Sequence, residues 1–337
     1  MRVPDLIPTA SEAEWLEVRR KGVTASEIAV IMGLSPYSSP YALYHQKLGI
    51  LPDGDDQAVF ERGRVLEPYI AEKFAAAHPE LMVAGTGREL FAHSGRPWQL
   101  ATPDRLLCDD MRLDFVPGYV IEEITPHAVL ETKTDAGSDE WGEPGTNEIP
   151  VHYRGQVLWQ MDVMGVDRAY VSCLDPARWQ IREYVIEHGN CFATEASERI
   201  GGDGPCDVCR DQALMRREGE NFLFRIEVGA VPDVDWRPAT IGALKQLHPS
   251  VTDDDVLIST QLGKWYRAAC RNYKRAEQKK KLYEARIREA MGSAHTASML
   301  GIGREPLVRR DVYEVGESVR KAYTVDKLVS VKPKKES

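Results

Sequence analysis

The sequence contains no long hydrophobic run. No segment of its 337 residues approaches the roughly 18 consecutive apolar residues that a membrane-spanning helix requires. Residues 1–5 also lack the apolar stretch of a secretory signal peptide. We therefore expect a cytoplasmic protein with no membrane partner.

Cysteine is scarce. The six cysteines are scattered, so we expect reduced thiols rather than a disulfide framework. Cys206 and Cys209 form a Cys-x-x-Cys pair, and His188 and Cys191 form a His-x-x-Cys pair upstream. Nitrogen and sulfur ligands at these spacings are typical of a small zinc site, and they predict a structural zinc ion. The alternative is a chance pattern, because single Cys-x-x-Cys pairs are common, and an iron–sulfur cluster would need a further cysteine close by.

Net positive charge is lacking as well. The chain has 43 Lys and Arg against 52 Asp and Glu, a net charge of −9, which argues against a generic nucleic-acid coat. The charge is uneven, because residues 264–288 contain ten basic and two acidic side chains, a local balance of +8. An enzyme with an acidic metal site and a basic arm for phosphates would have this asymmetry. A solvated helix face is the alternative.

Three regions follow from the residue patterns. Residues 1–188 mix helical and strand periodicities. Residues 189–238 have the character of a connector that contains the Cys-x-x-Cys pair and a helix. Residues 239–337 form a C-terminal extension with a long basic helix, predicted over about 259–291, whose apolar residues lie near coiled-coil spacing.

The first region predicts an α/β or α+β fold. Helical patterns over 64–77 and 151–163 enclose three short strand candidates, and two adjacent strands follow at 168–174 and 179–186. This order indicates a mixed central sheet flanked by helices.

Two carboxylates and a lysine follow strand candidates in that sheet. Asp104 comes after a strand and a Thr-Pro pair, and Glu131 and Lys133 form a Glu-x-Lys motif on the next strand. Mg²⁺ prefers carboxylate oxygens, and a lysine beside it can orient the attacking water or neutralise phosphate charge. The arrangement is typical of metal-dependent phosphodiester cleavage, although the pattern is loose when it stands alone.

Further polar residues lie on the two predicted helices. Glu67 has apolar neighbours and would supply a third carboxylate, or else it is an ordinary exposed glutamate. Tyr153, Gln156 and Gln160 share one helix face, which could bind a phosphate, a water or a base edge, or could be a polar outer face.

A basic cluster precedes a helix start near the N-terminus. Arg19, Arg20 and Lys21 lie shortly before Ser26, where backbone N–H groups and guanidinium groups together would bind a phosphate. The alternative is a capped helix preceded by solvated cations.

These motifs occur in one order along the chain, as blocks at residues 15–27, 32–37, 63–68, 102–104, 131–133 and 153–157. Together they resemble the YqaJ-type viral recombinase family of phage and prophage alkaline exonucleases. That family belongs with phage lambda exonuclease in the PD-(D/E)xK nuclease superfamily. The resemblance covers most of residues 14–187 and implies a restriction-endonuclease-like core.

The resemblance also implies a role for each matching residue. Asp104 and Glu131 would be metal ligands, with the backbone carbonyl of Thr132 assisting, and Lys133 would serve the water or the scissile phosphate. The remaining matches would complete the acidic site (Glu67), support it (Gln156 and Tyr153), and hold a terminal 5′-phosphate (Arg19 or Arg20, with Ser26).

Two departures from the family pattern stand out. Arg105 follows Asp104 where the family usually has glycine. The segment before Glu131 is also long, and its acidic residues compete with Asp104 for the ligand assignment: Asp109, Asp110, Asp114, Glu122 and Glu123.

The implied activity is that of a DNA exonuclease that requires Mg²⁺ or Mn²⁺. It would digest linear double-stranded DNA from 5′ to 3′ and leave 3′ single-stranded overhangs for phage-type recombination. The implied partners are double-stranded DNA ends, a single-strand annealing recombinase protein and further copies of the chain in a ring. The alternatives are an endonuclease of the same fold and a non-catalytic DNA-binding scaffold. A phage or prophage protein would lie in the cytoplasm of a bacterial host.

Overall fold

The structure is a computed structural model that describes residues 4–9, 11–52, 57–85, 89–108, 126–135, 137–189, 206–299 and 306–312. The chain divides into two compact units, residues 1–251 and residues 252–337. The acidic residues between positions 109 and 125 that compete with Asp104, and the predicted zinc ligand Cys191, lie outside the described residues.

The first unit contains nine strands and seven helices among its described residues. In chain order the strands are β1 (Asp5–Ile7), β2 (Val23–Thr24), β3 (Met82–Ala84), β4 (Leu90–His93), β5 (Arg96–Ala101), β6 (Arg105–Cys108), β7 (Ala128–Thr134), β8 (Arg168–Asp175) and β9 (Gln180–Glu187). The helices are α1 (Glu12–Lys21), α2 (Ala25–Ile31), α3 (Pro40–Lys47), α4 (Gln57–Ala77), α5 (Val151–Met164), α6 (Asp207–Glu227) and α7 (Pro238–Leu247).

Two sheets share the first unit. One has the strand order β1-β4-β5-β2, and the other has the order β3-β6-β7-β8-β9. In the five-stranded sheet only β7 and β8 are parallel, and α5 connects them as a crossover helix. The chain passes from one sheet to the other through residues 102–104, so the predicted metal-binding aspartate lies where the two sheets meet.

The core lies between the sheets and α5. Strand β7 begins with the fully buried run Ala128, Val129 and Leu130, as expected for a strand covered on both faces. Trp159 of α5 is 1% exposed, and its indole Nε1–H donates to the Leu100 carbonyl at 3.0 Å. This contact fixes α5 against β5 and thereby positions the polar face of the helix.

Helix α6 packs closely on α5. The side-chain amide of Gln212 donates to the Leu158 carbonyl at 3.0 Å. Gly219 lets the helix approach, because a Cβ there would meet the Trp98 ring at 3.0 Å and the Trp159 ring at 3.1 Å. The helix within the predicted connector is therefore packed against α5 and β5 of the first region. The three-part division at residues 188 and 238 remains a prediction.

The second unit contains a long helix, α8 (Thr260–Met291), and two antiparallel strands, β10 (Thr296–Ser298) and β11 (Pro306–Arg309). Ser259 caps α8, because its hydroxyl accepts the Leu262 N–H at 3.2 Å. None of the side chains of α8 is buried within the chain. The sequence prediction of a basic helix over about 259–291 is confirmed.

The predicted fold class is also confirmed, since the structure has mixed sheets flanked by helices and a C-terminal helical extension. Strands β7, β8 and β9 and helix α5 agree with their predicted ranges to within two residues. Helix α4 begins at Gln57, earlier than the predicted residue 64. Among the described residues, no helix is both long enough and apolar enough to cross a membrane.

Candidate active site

Asp104 lies beside the Glu-x-Lys strand. Arg105 at the start of β6 pairs with Leu130 of β7, so Asp104 falls opposite the next residues of β7. Its Oδ2 accepts the Thr132 backbone N–H at 2.7 Å and the Thr132 hydroxyl at 2.8 Å. Within the described part of the chain, no hydrogen bond reaches Oδ1. The Thr132 carbonyl faces the same side as its N–H, because both groups of a strand residue point toward the same neighbour.

Glu131 is buried at the centre of the site. The residue is 1% exposed, and its two carboxylate oxygens accept hydrogen bonds from two glutamines of α5. Gln156 donates to Oε1 at 2.6 Å, and Gln160 donates to Oε2 at 2.7 Å. Burial, followed by the Asp104 charge, raises the pKa of Glu131 to about 7 although Lys133 opposes the shift.

The polar stripe of α5 therefore faces the site. The sequence left open whether Tyr153, Gln156 and Gln160 form an outer surface, and the structure places all three inward. Gln160 is fully buried and completes the shell around Glu131, a role that helical spacing alone did not assign.

Lys133 lies on the same face of β7 as Glu131, since alternate strand residues share a face. Its ammonium donates to Glu131 Oε1 and lies 4.9 Å from the centre of the Tyr153 ring. Burial lowers the pKa of Lys133, but the carboxylates of Glu131 and Asp104 outweigh burial and leave the pKa above its ordinary value. The lysine therefore keeps its positive charge next to the two acids.

Glu67 extends the acidic cluster from α4. Its side chain is half-buried and accepts a hydrogen bond at 2.7 Å from the guanidinium of Arg105. Burial and the charge of Asp104 raise the pKa of Glu67, while Arg105 and Lys133 oppose the rise. Arg105 thus forms an ion pair inside the site and begins strand β6.

The donor set suits a hard divalent cation. Asp104, Glu131 and the Thr132 carbonyl supply oxygen atoms only, and Glu67 adds a third carboxylate nearby. Asp104 raises the pKa of both glutamates, so its charge repels each of them at this point. A bound cation would relieve that repulsion. The residues fit Mg²⁺ or Mn²⁺ better than they fit a softer metal.

A second polar cluster lies where α1 leads into α2. The Arg19 guanidinium stacks over the Trp15 ring at 4.3 Å and makes long hydrogen bonds of 3.4 Å to the hydroxyls of Thr24 and Ser26. Thr24 caps α2 in a capping box with Glu27. Arg20 is exposed, and the contacts described for Ser26 come from Arg19 and Thr24. Of the two arginines left open by the sequence, the structure brings Arg19 to Ser26.

Lys47 supports this cluster from behind. Its ammonium is almost fully buried and donates to the carbonyls of Arg19 at 2.6 Å and Gly22 at 2.7 Å. It also pairs with Glu27 Oε2 at 2.7 Å. The sequence analysis did not identify Lys47, because a lysine at the end of a short helix normally lies in solvent.

The carboxylate cluster and the Arg19–Ser26 cluster lie at the same edge of the fold. Strands β2 and β5 are parallel, with Thr24 paired to Leu100, so Ser26 and Asp104 both follow the carboxyl ends of neighbouring strands. Gly155 lies in van der Waals range of α2, because a Cβ at this position would be 3.7 Å from the Ala29 side chain. Helix α2 therefore packs next to the turn of α5 that presents Gln156.

The predicted zinc ligands are partly brought together. His188 follows β9, and Cys206 and Cys209 begin α6, with ligand atoms that all lie within 4.8 Å of one another. None of the five described cysteines is in a disulfide. These residues are separate from the carboxylate cluster in sequence, since they lie beyond the end of β9.

Comparisons with known proteins found similar sequences and structures. A curated relative, the uncharacterized protein YqaJ of Bacillus subtilis (strain 168), is 28% identical over 254 residues, which cover 73% of this chain. The chain spans 66% of that relative's length.

Two solved structures are similar at lower identity. An alkaline exonuclease, LHK-Exo from Laribacter hongkongensis, is 19% identical with a TM-score of 0.42, and covers 65% of this chain and 94% of its own. A phage-related exonuclease from Haemophilus somnus 129PT is 11% identical with a TM-score of 0.36, and covers 62% of this chain and 96% of its own.

The family comparison covers the region that contains both clusters. Residues 14–167 match the family described as the YqaJ-like viral recombinase domain, and this span includes Arg19, Asp104, Glu131 and Lys133. Residues 14–167 of this chain are therefore similar to the YqaJ-like viral recombinase domain.

Proposed function

We propose that the chain is a DNA nuclease that depends on a divalent metal ion. The observation that carries the proposal is the convergence of Asp104, Glu131 and Lys133 at neighbouring strand positions. Acidic oxygens beside a lysine are the side chains that phosphodiester hydrolysis requires. A non-catalytic scaffold would have no need to bury Glu131 with two glutamine donors.

Each residue has a separate task in this proposal. Asp104, Glu131 and the Thr132 carbonyl would hold Mg²⁺ or Mn²⁺, which when bound supplies positive charge to the phosphoryl oxygens and to the leaving oxygen. Thr132 fixes Asp104 through two hydrogen bonds, and the two glutamines of α5 fix Glu131. We assign Lys133 to orienting the attacking water and to neutralising charge on the scissile phosphate.

We further propose that the nuclease acts on DNA ends, from 5′ to 3′, and leaves 3′ single-stranded overhangs. The support is the Arg19–Ser26 cluster, which places a guanidinium and two hydroxyls at the same edge as the carboxylates. Guanidinium groups bind phosphate with directional hydrogen bonds. Overhangs of this kind are substrates for a single-strand annealing recombinase protein, and a ring of several copies around the duplex would suit digestion of long DNA.

The test is a digestion of matched DNA substrates. Linear duplexes with 5′-phosphate or 5′-hydroxyl ends are incubated beside a closed circular duplex, with and without Mg²⁺. We expect degradation of the linear duplexes only, only with Mg²⁺, and faster from the 5′-phosphate. End-labelled strands would give the direction.

Two results would overturn parts of the proposal. Equal cutting of the closed circle would identify an endonuclease and remove the end-recognition step. An absence of degradation with Mg²⁺ and with Mn²⁺, together with binding of the same duplexes, would favour the non-catalytic scaffold.

If Arg19 recognises the DNA end, substitutions of Arg19 and of the nearby Lys21 should have different effects. Arg19→Ala should reduce the preference for a 5′-phosphate over a 5′-hydroxyl about tenfold, which corresponds to the loss of one charge-assisted phosphate contact. Lys21 is the matched control, because it is exposed and pairs with Glu17 one turn away. Lys21→Ala should leave the preference unchanged, measured as the ratio of initial rates on the two linear duplexes.

The same assay decides between the two arginines. If Arg20→Ala rather than Arg19→Ala removes the preference, the phosphate is bound on the exposed side of α1. If neither substitution changes the ratio, the Arg19–Ser26 cluster has no part in end recognition.

A further inference from the structure

Three metal-binding side chains converge away from the carboxylate site. His188 Nδ1 lies 3.7 Å from Cys206 Sγ and 3.6 Å from Cys209 Sγ. All three residues are partly buried, and their ligand atoms lie within 4.8 Å of one another. The cluster joins the end of β9 to the first turn of α6. In sequence, β9 ends at Glu187 and α6 begins at Asp207.

The separations match the geometry of a tetrahedral zinc site. Zinc lies about 2.3 Å from a thiolate sulfur and about 2.0–2.1 Å from an imidazole nitrogen, so the two ligand atoms should be about 3.5 Å apart at a tetrahedral angle. The observed nitrogen–sulfur distances of 3.6 and 3.7 Å are close to this value. Hydrogen bonding alone would not require both sulfurs to approach the same nitrogen.

The local backbone holds the three ligands in place. The His188 N–H donates to the Asp167 carbonyl at 2.9 Å, which anchors the residue after β9. Cys206 is the N-cap of α6, and its sulfur accepts the Cys209 N–H at 3.5 Å. The positive end of a helix and a hydrogen bond to sulfur both favour the thiolate form that a metal requires.

We propose that His188, Cys206 and Cys209 bind one structural Zn²⁺ ion. Nitrogen and sulfur donors select zinc over Mg²⁺, so this ion is distinct in chemistry from the one at the carboxylates. Three described ligands leave a fourth tetrahedral position for a further donor. Cys191, which the sequence predicts as a further ligand, lies outside the described residues.

The zinc ion would connect the end of β9 to the start of α6. Helix α6 in turn holds α5, because Gln212 bonds to the Leu158 carbonyl and Arg216 binds Asp162. Helix α5 carries Gln156 and Gln160, which bind Glu131. The ion would therefore stabilise the layer behind the carboxylate site without touching it. The proposal does not depend on the nuclease function, because its readout is metal content.

The test measures metal in the untagged full-length chain, purified under reducing conditions from zinc-supplemented cells. We expect about one zinc per chain, and at least a fivefold lower content in His188→Ala and in Cys206→Ser. Cys270 is the matched control, because it is a cysteine of the second unit, and Cys270→Ser should keep its zinc. Exchange of zinc for Co²⁺ should give sulfur-to-cobalt charge-transfer absorption and the intense visible bands of a tetrahedral site.

A second measurement uses the wild-type chain, so it tests the proposal even if the substituted variants do not fold. A strong chelator added to the wild-type chain should lower its melting temperature by several degrees, and added Zn²⁺ should restore it. A wild-type chain that neither contains zinc nor takes up Co²⁺ would overturn the proposal. So would a Cys206–Cys209 disulfide after purification under reducing conditions, or the broad visible absorption of an iron–sulfur cluster.

Discussion

Asp104→Asn and Glu131→Gln are each expected to lower metal-dependent DNA cleavage by at least about 10³-fold. Each substitution removes a negative charge from the proposed metal site and changes the shape of the side chain very little. In Asp104→Asn the remaining side-chain oxygen can still accept the two hydrogen bonds from Thr132, so the strand connection should persist. Initial rates on a 5′-phosphorylated linear duplex in Mg²⁺ measure the effect.

The control separates loss of charge from loss of a cleavage-competent fold. Asp167 is exposed and precedes β8. It lies near the start of β7, away from the end of the sheet that carries Asp104, so Asp167→Asn should retain the wild-type rate. Binding of the same duplex in Ca²⁺, and the melting temperature, should change little in Asp104→Asn. If Asp104→Asn keeps its activity while Glu131→Gln loses it, one of the acids between residues 109 and 125 supplies the missing ligand instead.

The convergence of Asp104 and Glu131 could be predicted from sequence because strand pairing is a local and periodic property. The buried run at the start of β7 identifies a central strand, and alternation puts Glu131 and Lys133 on one face. For Asp104 the sequence indicates only a position after a Thr-Pro pair. Strand β6 could not be predicted, because the four residues that begin with Arg105 show no clear alternation of polar and apolar side chains.

The supporting contacts could not be predicted, because they depend on distances between elements that are remote in sequence. The spacing of Gln156 and Gln160 fits a polar outer surface and a buried face equally well. Only the packing of α5 on β7 decides between them. The ion pair of Glu67 with Arg105 and the burial of Lys47 are likewise set by tertiary contacts that no local pattern records.

Asp162→Ala is expected to reduce the free energy of unfolding by about 3–5 kcal/mol. The Asp162 carboxylate is 6% exposed and joins three elements. It accepts from Arg216 of α6 at 2.8 Å, from Arg96 of β5 at 3.2 Å, and from the Gln99 amide. Alanine would leave two partly buried guanidinium groups without this anion. Urea unfolding followed by tryptophan fluorescence measures the change, since six of the seven tryptophans lie in residues 1–251.

Asp211→Ala is the control, because Asp211 links the same two helices through Arg154 but lies at the surface. Exposed ion pairs contribute little, so this change should cost less than about 1 kcal/mol. The two variants should also differ in their pH dependence. Burial raises the pKa of Asp162, but the hydrogen bonds and charges of Arg216, Gln99 and Arg96 hold it below its ordinary value.

A carboxyl group that is more acidic in the folded state stabilises the protein fully above its unfolded-state pKa of about 4. That contribution is lost as the pH falls through the folded-state pKa, because the unfolded chain then binds the proton more readily. The difference in unfolding free energy between wild type and Asp162→Ala should therefore narrow as the pH falls below about 4. A difference that stays constant over the same range would mean that packing, and not the charged carboxylate, holds α6 against α5.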